Sequence, residues 1–261
     1  MMTILDTIIA EKHQVVKELY DRKKELTFEE KSSIKRSLIA RLEKNTNLSI
    51  IAEFKRASPS KGDINIHLDP EQQAKQYEQF GADAISVLTD TPFFKGTYQD
   101  LEAVRKAVNV PILCKDFIID TIQIDFAKHY GADIILLIAA ALDDDQLQKL
   151  YNYATEKELE VLLEVHNEDE LQRALKTNAK LIGVNNRNLK TFEVTLDTTE
   201  QLAALIKENN RYLVSESGIS SLEDVERVTA SGAKAILVGE TFMRATDLEQ
   251  TLSEMKVSLK V

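Results

Sequence analysis

Charged side chains interrupt or directly follow most of the short apolar runs in this sequence. The positions are Glu53, Lys55, Lys115, Glu164, Arg187 and Glu216. A charge within or just beyond a buried strand is costly unless it is paired or used. One interpretation is a structural network of salt bridges, and the other is a functional cluster. The convergence of so many charges on one place favours the functional cluster.

Lysines and carboxylates gathered at one site can move protons. Lys55 and Lys115, close together and partly desolvated, would have lowered pKa values and could donate protons near neutral pH. Glu164 stands between Leu163 and Val165, and a carboxylate held among apolar neighbours has a raised pKa and can exchange protons. The sequence therefore predicts an acid–base centre.

A second set of residues has the composition of a phosphate site. Ser217 with Gly218 follows one apolar run, and Gly239 with Glu240 follows the next. Glycines allow close approach of the backbone, whose N–H groups can face an anion at a short helix start. Lys55 could add a positive charge. We expect a phosphate group at this point, although turns also need glycine.

Other conspicuous residues favour packing over chemistry. Four histidines lack the spacing of metal ligands and are expected at the surface or in packing: His13, His67, His129 and His166. The acidic run 143–145 suits a helix cap better than a metal site, and the unique Cys114 suits a buried strand. Phe93, Phe94 and Phe117 are either loop packing or apolar walls for an aromatic substrate. No metal site is predicted.

Eight short apolar runs alternate with helix-length segments, and each has the length of a buried parallel strand. The predicted strands are Leu48–Phe54, Ala84–Leu88, Pro111–Cys114, Ile134–Ala139, Val161–Val165, Leu181–Val184, Tyr212–Val214 and Ala235–Val238. Eight such units in series predict an α/β fold, a (β/α)8 TIM barrel. In that architecture the carboxyl ends of the strands share one mouth, and the charged residues lie there.

A weak repeat supports the strand count. A Gly or Asn followed by Ala begins at Gly81, Gly131, Asn178 and Gly232, before every second predicted strand. These residue types suit a left-handed helix end. Apolar residues at helical spacing also precede the first strand, with a second helical stretch around Ile34, Leu38 and Leu42. We expect a single barrel domain over residues 1–261, with residues 1–47 as a helical extension.

Composition limits the classes of partner. The formal net charge of −10 argues against a general nucleic-acid or anionic-membrane binder, since both need basic surfaces. One cysteine permits no intrachain disulfide and favours a reducing compartment. Asp6, Glu11 and Lys12 interrupt the amino-terminal apolar runs, and no stretch approaches the ~20 apolar residues of a membrane span. We expect a cytoplasmic monomer that acts on a small molecule.

At these residues the sequence resembles the indole-3-glycerol-phosphate synthase family over nearly the whole chain. The matching blocks are Ile51 to Arg56 with Ser58-Pro59-Ser60, Cys114 to Phe117, Leu163 to His166, Asn185-Asn186-Arg187 with Leu189, and Ser215 to Ile219. Five ordered blocks at barrel spacing are a specific signal. Asn188 departs from the pattern, because an aspartate often follows the Asn-x-Arg motif.

The resemblance implies conversion of 1-(2-carboxyphenylamino)-1-deoxyribulose 5-phosphate to indole-3-glycerol phosphate, CO2 and water, with no cofactor. By position, Lys115 would be the general acid of ring closure, and Glu164 would handle a proton in the later dehydration. Glu53 and Glu216 would orient these groups. The motif does not decide whether Lys55 or Lys115 donates the proton at a given step.

The resemblance also implies binding roles. Asn185, in the catalytic set, would hold the substrate, and Arg187 would contact its carboxylate. The other expected substrate contacts are Ser58, Ser60, Phe94, Phe117, Leu136, Leu189 and Ser217. The expected phosphate contacts are Lys55, Ser217, Gly218, Gly239 and Glu240.

Three other functions fit parts of the pattern. A Schiff-base aldolase of sugar phosphates would also be a phosphate barrel with a lysine on a strand. Phosphoribosylanthranilate isomerase shares the predicted fold, but the pairing of Lys115 with Glu164 is not expected in it. A catalytically silent barrel would bind the phosphorylated metabolite and turn nothing over.

Overall fold

The computed structural model describes residues 3–26 and 34–259. Its main strands are β1 (Ser49–Phe54), β2 (Ala84–Leu88), β3 (Ile112–Lys115), β4 (Ile134–Ile138), β5 (Glu160–Val165), β6 (Leu181–Asn185), β7 (Tyr212–Glu216) and β8 (Ala235–Val238). Each coincides with a predicted strand to within two residues at either end. The predicted strands are therefore confirmed.

All eight strands are parallel and close into a barrel. Each strand pairs with its neighbours in sequence, and β1 closes the ring by pairing with β8. In that closing register Ile51 lies opposite Leu237, while on the other edge of β1 Ile51 lies opposite Ala84. The closed ring leaves no strand edge unpaired, which confirms the predicted TIM barrel.

Helices surround the barrel. They are α1 (Ile4–Lys23), α2 (Leu38–Lys44), α3 (Pro70–Gln79), α4 (Thr91–Phe94), α5 (Tyr98–Ala107), α6 (Thr121–His129), α7 (Asp144–Glu156), α8 (Glu168–Leu175), α9 (Asp197–Glu208), α10 (Leu222–Ala230), α11 (Glu240–Met243) and α12 (Leu248–Met255). A one-turn 3-10 helix, Ala139–Ala141, precedes α7. Asp143 caps α7 by accepting a hydrogen bond from the backbone N–H of Gln146, so the acidic run 143–145 caps a helix as predicted.

Alternating residues of each strand fill the interior. Ile51, Leu113, Leu162 and Val214 belong to one buried cluster inside the barrel. The intervening residues, such as Leu163 on β5, belong to a separate cluster between the strands and the helices. Two residues beyond the inner apolar layer, the same face of the strands carries charged side chains. Because of this alternation, the charged side chains at the strand ends point into the mouth of the barrel.

Two local predictions were wrong. The second helix begins at Leu38, while Ile34 lies outside any helix and is 75% exposed. Gly81, Gly131 and Gly232 have the expected positive φ of 99°, 99° and 106°. Asn178 does not, because α8 ends in a tighter turn that Thr177 stabilises by hydrogen bonds to its neighbours. Residues 27–33, also predicted to be helical, lie outside the described residues.

No helix of the described residues is long and apolar enough to cross a bilayer. Cys114 is fully buried in β3, as predicted. The described residues hold no cluster of three or more His, Cys, Asp or Glu side chains arranged to bind a metal ion.

Candidate active site

A cavity of about 890 Å³ opens at the carboxyl ends of the strands. Every residue that the sequence analysis assigned to the site lines its wall. These are Glu53, Lys55, Ser58, Ser60, Phe94, Lys115, Phe117, Leu136, Glu164, Asn185, Arg187, Leu189, Glu216, Ser217, Gly218, Gly239 and Glu240. The barrel thus brings together residues from both ends of the sequence, and a cavity of this size accommodates a drug-sized ligand.

The centre of the cavity is a network of lysines and carboxylates. Lys115, at the end of β3, forms an ion pair with Oε2 of Glu216, and its Nζ lies 3.5 Å from Oε2 of Glu164. Lys55 pairs with Oε1 of Glu53. Nδ2 of Asn185 donates a hydrogen bond of 3.1 Å to the second oxygen of Glu164. Each lysine is therefore held by at least one carboxylate.

This arrangement reverses the predicted pKa shift of Lys115. Burial disfavours its ammonium, but Glu216, Glu164 and Glu53 outweigh that cost and raise the pKa of Lys115 above its usual value. The sequence prediction was wrong because it counted Lys55 as the nearest charge. The closest charges are carboxylates, so Lys115 carries its proton at neutral pH.

The pKa of Glu164 also departs from the prediction. Burial would raise it, but Lys115, His166 and Asn185 together lower the pKa of Glu164 to about 2. The flanking Leu163 and Val165, on which the prediction rested, point out of the barrel toward the helices. Neighbours in sequence are on the opposite face of a strand, and the groups that surround Glu164 come from other strands.

The environment of Glu216 raises the pKa of its carboxyl group. Burial raises its pKa, Lys115 opposes the rise, and Glu164 and Glu53 add to it, so that the pKa is about 7. Its Oε1 is buried without a hydrogen-bond partner in the described part of the chain. That oxygen sits where a Cβ on Gly183 of β6 would lie, only 2.1 Å away. Gly183 thus makes room for the carboxylate.

One side of the cavity has the backbone geometry of an anion site. Ser217 and Gly218 follow β7 with positive φ values of 66° and 80°. A positive φ is uncommon for serine, and such turns make a concave array of backbone N–H groups. Lys55, Lys61 and Arg244 also line the cavity, where Lys55 pairs with Glu53 and the other two pair with Glu240. Three cations against these two carboxylates leave a local positive balance for an anion, although the chain as a whole is acidic.

The opposite side of the cavity is apolar. The rings of Phe94 and Phe117 lie with centroids 5.9 Å apart, and Leu136 and Leu189 line the same cavity. Asn188, the position that departs from the expected motif, accepts hydrogen bonds from the backbone N–H groups of Lys190 and Thr191. It thereby holds the turn that presents Leu189.

Comparison with known proteins identifies the family. The profile of indole-3-glycerol phosphate synthase matches residues 5–255. The chain is 51% identical over 259 residues to the indole-3-glycerol phosphate synthase of Bacillus mycoides, covering 99% of this chain and 100% of the relative. It is 52% identical to that of Oceanobacillus iheyensis, covering 99% and 98%. The chain belongs to the indole-3-glycerol phosphate synthase family.

The fold also resembles that of a more distant enzyme. A crystal structure of 3-hexulose-6-phosphate synthase superposes with a TM-score of 0.60 at 18% identity, covering 80% of this chain and 98% of that one. At that identity the likeness concerns the barrel alone.

Membership of the indole-3-glycerol phosphate synthase family gives the protein its reaction. It is a carbon–carbon lyase of tryptophan biosynthesis that closes an indole ring and releases CO2, and it acts on a small phosphorylated molecule. The family, fold and reaction predicted from sequence are confirmed.

Helix α1 contributes one residue to the wall of this synthase site and one buried lysine beside it, both of which the sequence analysis missed. Ile4 lines the cavity. Lys12 is 2% exposed and pairs with Asp90 after β2 and Asp116 after β3, at 2.7 and 2.5 Å. A signal was available, because Lys12 falls four residues after the buried Ile8 on the apolar face of α1. A lysine on an apolar helix face needs a buried partner.

His166 was expected at the surface or in packing, and its contact with Glu164 was not foreseen. Its side chain is 10% exposed, and its Nε2 lies 3.3 Å from Oε1 of Glu164. The signal was the strand period of two, which places residue 166 on the same face as residue 164.

Proposed function

We propose that Lys115 and Glu164 carry the proton transfers of the synthase reaction on 1-(2-carboxyphenylamino)-1-deoxyribulose 5-phosphate. The observation that carries this proposal is the position of the Lys115 ammonium on the cavity wall, between Glu164 and Glu216. An acid fixed between two carboxylates beside an aromatic wall is suited to a substrate with both a carbonyl group and an aromatic ring.

In the ring closure, Lys115 acts as the general acid. When the aromatic ring attacks the substrate carbonyl, the carbonyl oxygen becomes a strongly basic alkoxide, which takes a proton even from an ammonium of raised pKa. Attack leaves a cationic iminium in the ring system. The electron pair of the breaking bond to the carboxylate flows into that iminium, so CO2 leaves without an electron-sink cofactor.

The dehydration needs a base and an acid. One proton leaves carbon, and the hydroxyl group departs with another as water. Glu164 handles a proton in this step, and either Lys55 or Lys115 supplies the proton to the hydroxyl. Glu53 and Glu216 orient the two lysines through the ion pairs described above.

Binding groups fold the flexible substrate into its reactive conformer. Arg187 contacts the substrate carboxylate and Asn185 holds the substrate next to Glu164. The aromatic ring packs on Phe94, Phe117, Leu136 and Leu189, and Ser58, Ser60 and Ser217 donate hydrogen bonds. The phosphate lies against Lys55, Ser217 and the backbone of Gly218, Gly239 and Glu240.

A direct assay tests this function. Purified protein is mixed with the substrate, without added metal or cofactor, and indole fluorescence is followed. The chain contains no tryptophan, so the product signal has no indole background from the protein. We expect steady turnover, and absence of product from folded protein would contradict the proposal.

Borohydride separates the synthase from a Schiff-base aldolase. A Schiff base needs a neutral amine, and the raised pKa of Lys115 keeps that amine protonated. We expect no covalent adduct on Lys115 when substrate and borohydride are added together. A reduced adduct at Lys115 would favour the aldolase.

We also propose that the chain is one barrel domain with residues 1–47 as its extension, and that it works as a cytoplasmic monomer. The large apolar side chains exposed among the described residues come from several separate segments: Tyr20, Ile34, Ile66, Phe192, Val194 and Leu222. Exposed apolar side chains that occur singly along the chain are normal for a monomer. Light scattering of the purified protein tests it.

A further inference from the structure

The proton balance of the reaction requires a supply from solvent. The substrate enters with an ionised carboxylate, and its products are neutral CO2, water and the phosphorylated indole. Ring closure and dehydration consume two protons, while one is released from carbon. Each turnover therefore takes up one proton, and a donor such as Lys115 must be reloaded before the next turnover.

His166 stands between the buried network and the rim of the barrel. Its Nδ1 lies 2.9 Å from Oε2 of Glu170 on α8, within hydrogen-bond reach. Its buried Nε2 lies 3.3 Å from Oε1 of Glu164, at ion-pair distance but without a hydrogen bond among the described residues. Exposure of the side chains rises along this line, from 4% at Glu164 to 10% at His166 and 16% at Glu170. The imidazole thus has one nitrogen toward the site and one toward solvent.

Local structure fixes the ring in this position. His166 follows the last residue of β5 and keeps the inward direction of Glu164. Its backbone N–H donates a hydrogen bond of 2.8 Å to the same Glu170 oxygen that meets Nδ1. Asn167 caps α8 and its side chain donates to the other oxygen of Glu170. Both carboxylates are therefore held on opposite edges of the ring.

We propose that His166 relays a proton from Glu170 and solvent through Glu164 to Lys115, and so restores the Lys115 ammonium after each turnover. The relay rests on the proposed roles of Lys115 and Glu164. In each passage the ring gives its Nε2 proton to Glu164 and receives one at Nδ1 from Glu170, which is reprotonated by water. Glu164 then passes its proton to the neutral amine of Lys115.

The electrostatics agree with this direction of transfer. In the described part of the chain, the charged groups recorded against the ring are Glu164 from β5 and Glu170 from α8; beyond Glu164 lie Lys115 from β3 and, paired with it, Glu216 from β7. Burial opposes the imidazolium, but the two adjacent carboxylates raise the pKa of His166 to about 10. The pKa of Lys115 is raised from a higher ordinary value. The net transfer from the ring to Lys115 therefore runs toward the stronger base, while Glu164, whose pKa is lowered to about 2, is protonated only in passage.

The decisive experiment compares the first turnover with later ones in His166→Gln. Glutamine keeps a hydrogen-bond donor near Glu164 but cannot be reloaded with a proton. We expect CO2 release in the first turnover at a rate close to wild type, because Lys115 starts protonated, followed by steady-state turnover reduced ~10-fold or more. If both rates fall by the same factor, or neither falls, the relay is wrong.

Chemical rescue provides the second arm. In His166→Ala, added imidazole is expected to restore steady-state turnover, since a diffusible base can occupy the emptied position. If glutamine at this position gives wild-type turnover while alanine does not, hydrogen bonding is the role of His166 and the relay is overturned. His13→Gln, an exposed histidine on α1, is the matched control and should leave both rates unchanged.

Glu164→Gln separates failure of the relay from failure of the proposed function. A slow Glu164→Gln with an unaffected His166→Gln would reject the relay and keep the role of Glu164. A fully active Glu164→Gln would reject the role of Glu164 itself, and the relay with it.

Discussion

Strand β5 carries two glutamates on the same inward face, one at each end of the barrel. Glu160, at the amino end, accepts hydrogen bonds from the hydroxyl of Ser37 and from the backbone N–H groups of Leu38 and Ile39 at the start of α2. Glu164, at the carboxyl end, faces cations and the cavity. On this one strand, a glutamate thus binds the start of α2 at the amino end, and another faces the active-site cavity at the carboxyl end.

The surroundings of the two carboxylates shift their pKa values in opposite directions. Burial raises the pKa of Glu160 in spite of the hydrogen bonds it accepts, because no cation is recorded against it in the described structure. The cations at Glu164 lower its pKa to about 2. The start of α2 offers Glu160 only the partial charges of backbone dipoles. The mouth of the barrel offers Glu164 the full positive charges of side chains.

The largest expected effect is a difference in kcat between variants at the two ends of β5. Glu164→Gln is expected to lower kcat by at least ~10²-fold, because the amide cannot transfer a proton. Glu160→Gln, the matched change on the same strand, should leave kcat within ~3-fold of wild type, since it lies away from the reacting atoms. Steady-state kinetics on both variants measures this, and equal losses would erase the proposed distinction.

The next prediction concerns the close packing of Gly183 against Glu216 at the mouth of the barrel. Gly183→Ala places a methyl group where Oε1 of Glu216 now lies, so the carboxylate must move relative to Lys115. We expect kcat to fall ~10-fold or more, because small displacements of catalytic groups are costly. Cooperative thermal unfolding of the variant serves as the control, and an unchanged kcat would show that Glu216 does not need its present position.

The free energy of unfolding should depend on the amino end of the barrel, where kcat should not. Glu160→Gln is expected to lower the free energy of unfolding by ~1–2 kcal/mol, because an amide has one acceptor oxygen for a site that uses two. Ser37→Ala removes the capping hydroxyl of α2 and should cost ~1 kcal/mol. Urea unfolding of the two single variants and the double variant measures this. Fully additive losses would mean that Glu160 and Ser37 do not interact.

The smallest expected effect is the pH dependence of the difference in stability between wild type and His166→Gln. His166 has a folded pKa of about 10 against 6.5 unfolded, so its contribution is complete below 6.5 and is lost as pH rises toward 10. Glu164 has a folded pKa of about 2 against 4.5, so its contribution is complete above 4.5 and is lost as pH falls. Wild type should therefore exceed His166→Gln in stability most between 4.5 and 6.5, measured by urea unfolding across pH. A pH-independent difference would contradict these ionisation states.

The sequence predicted the fold and the charged centre of the site from simple periodicity, and the other cavity-lining residues from the family resemblance. Strands of period two, with charges just beyond the apolar residues, place Glu53, Lys115 and Glu216 at one mouth without any knowledge of contacts. The same rule, carried two residues further, would have placed His166 beside Glu164.

What the sequence could not predict was the partner of each charge. The pKa of Lys115 and of Glu164 depends on contacts between strands that are distant along the chain, and both predicted directions were wrong for that reason. The position of α1 is a similar case. The apolar face of α1 shows that Lys12 must be buried, but only the packed structure shows that its partners are Asp90 and Asp116.

The central claim is that Lys115 donates protons at the carboxyl end of the barrel. The most direct test is the rate of CO2 release by folded Lys115→Ala in a single turnover with enzyme in excess, which product release cannot mask. We expect a fall of at least ~10²-fold relative to wild type. A rate close to wild type would contradict it.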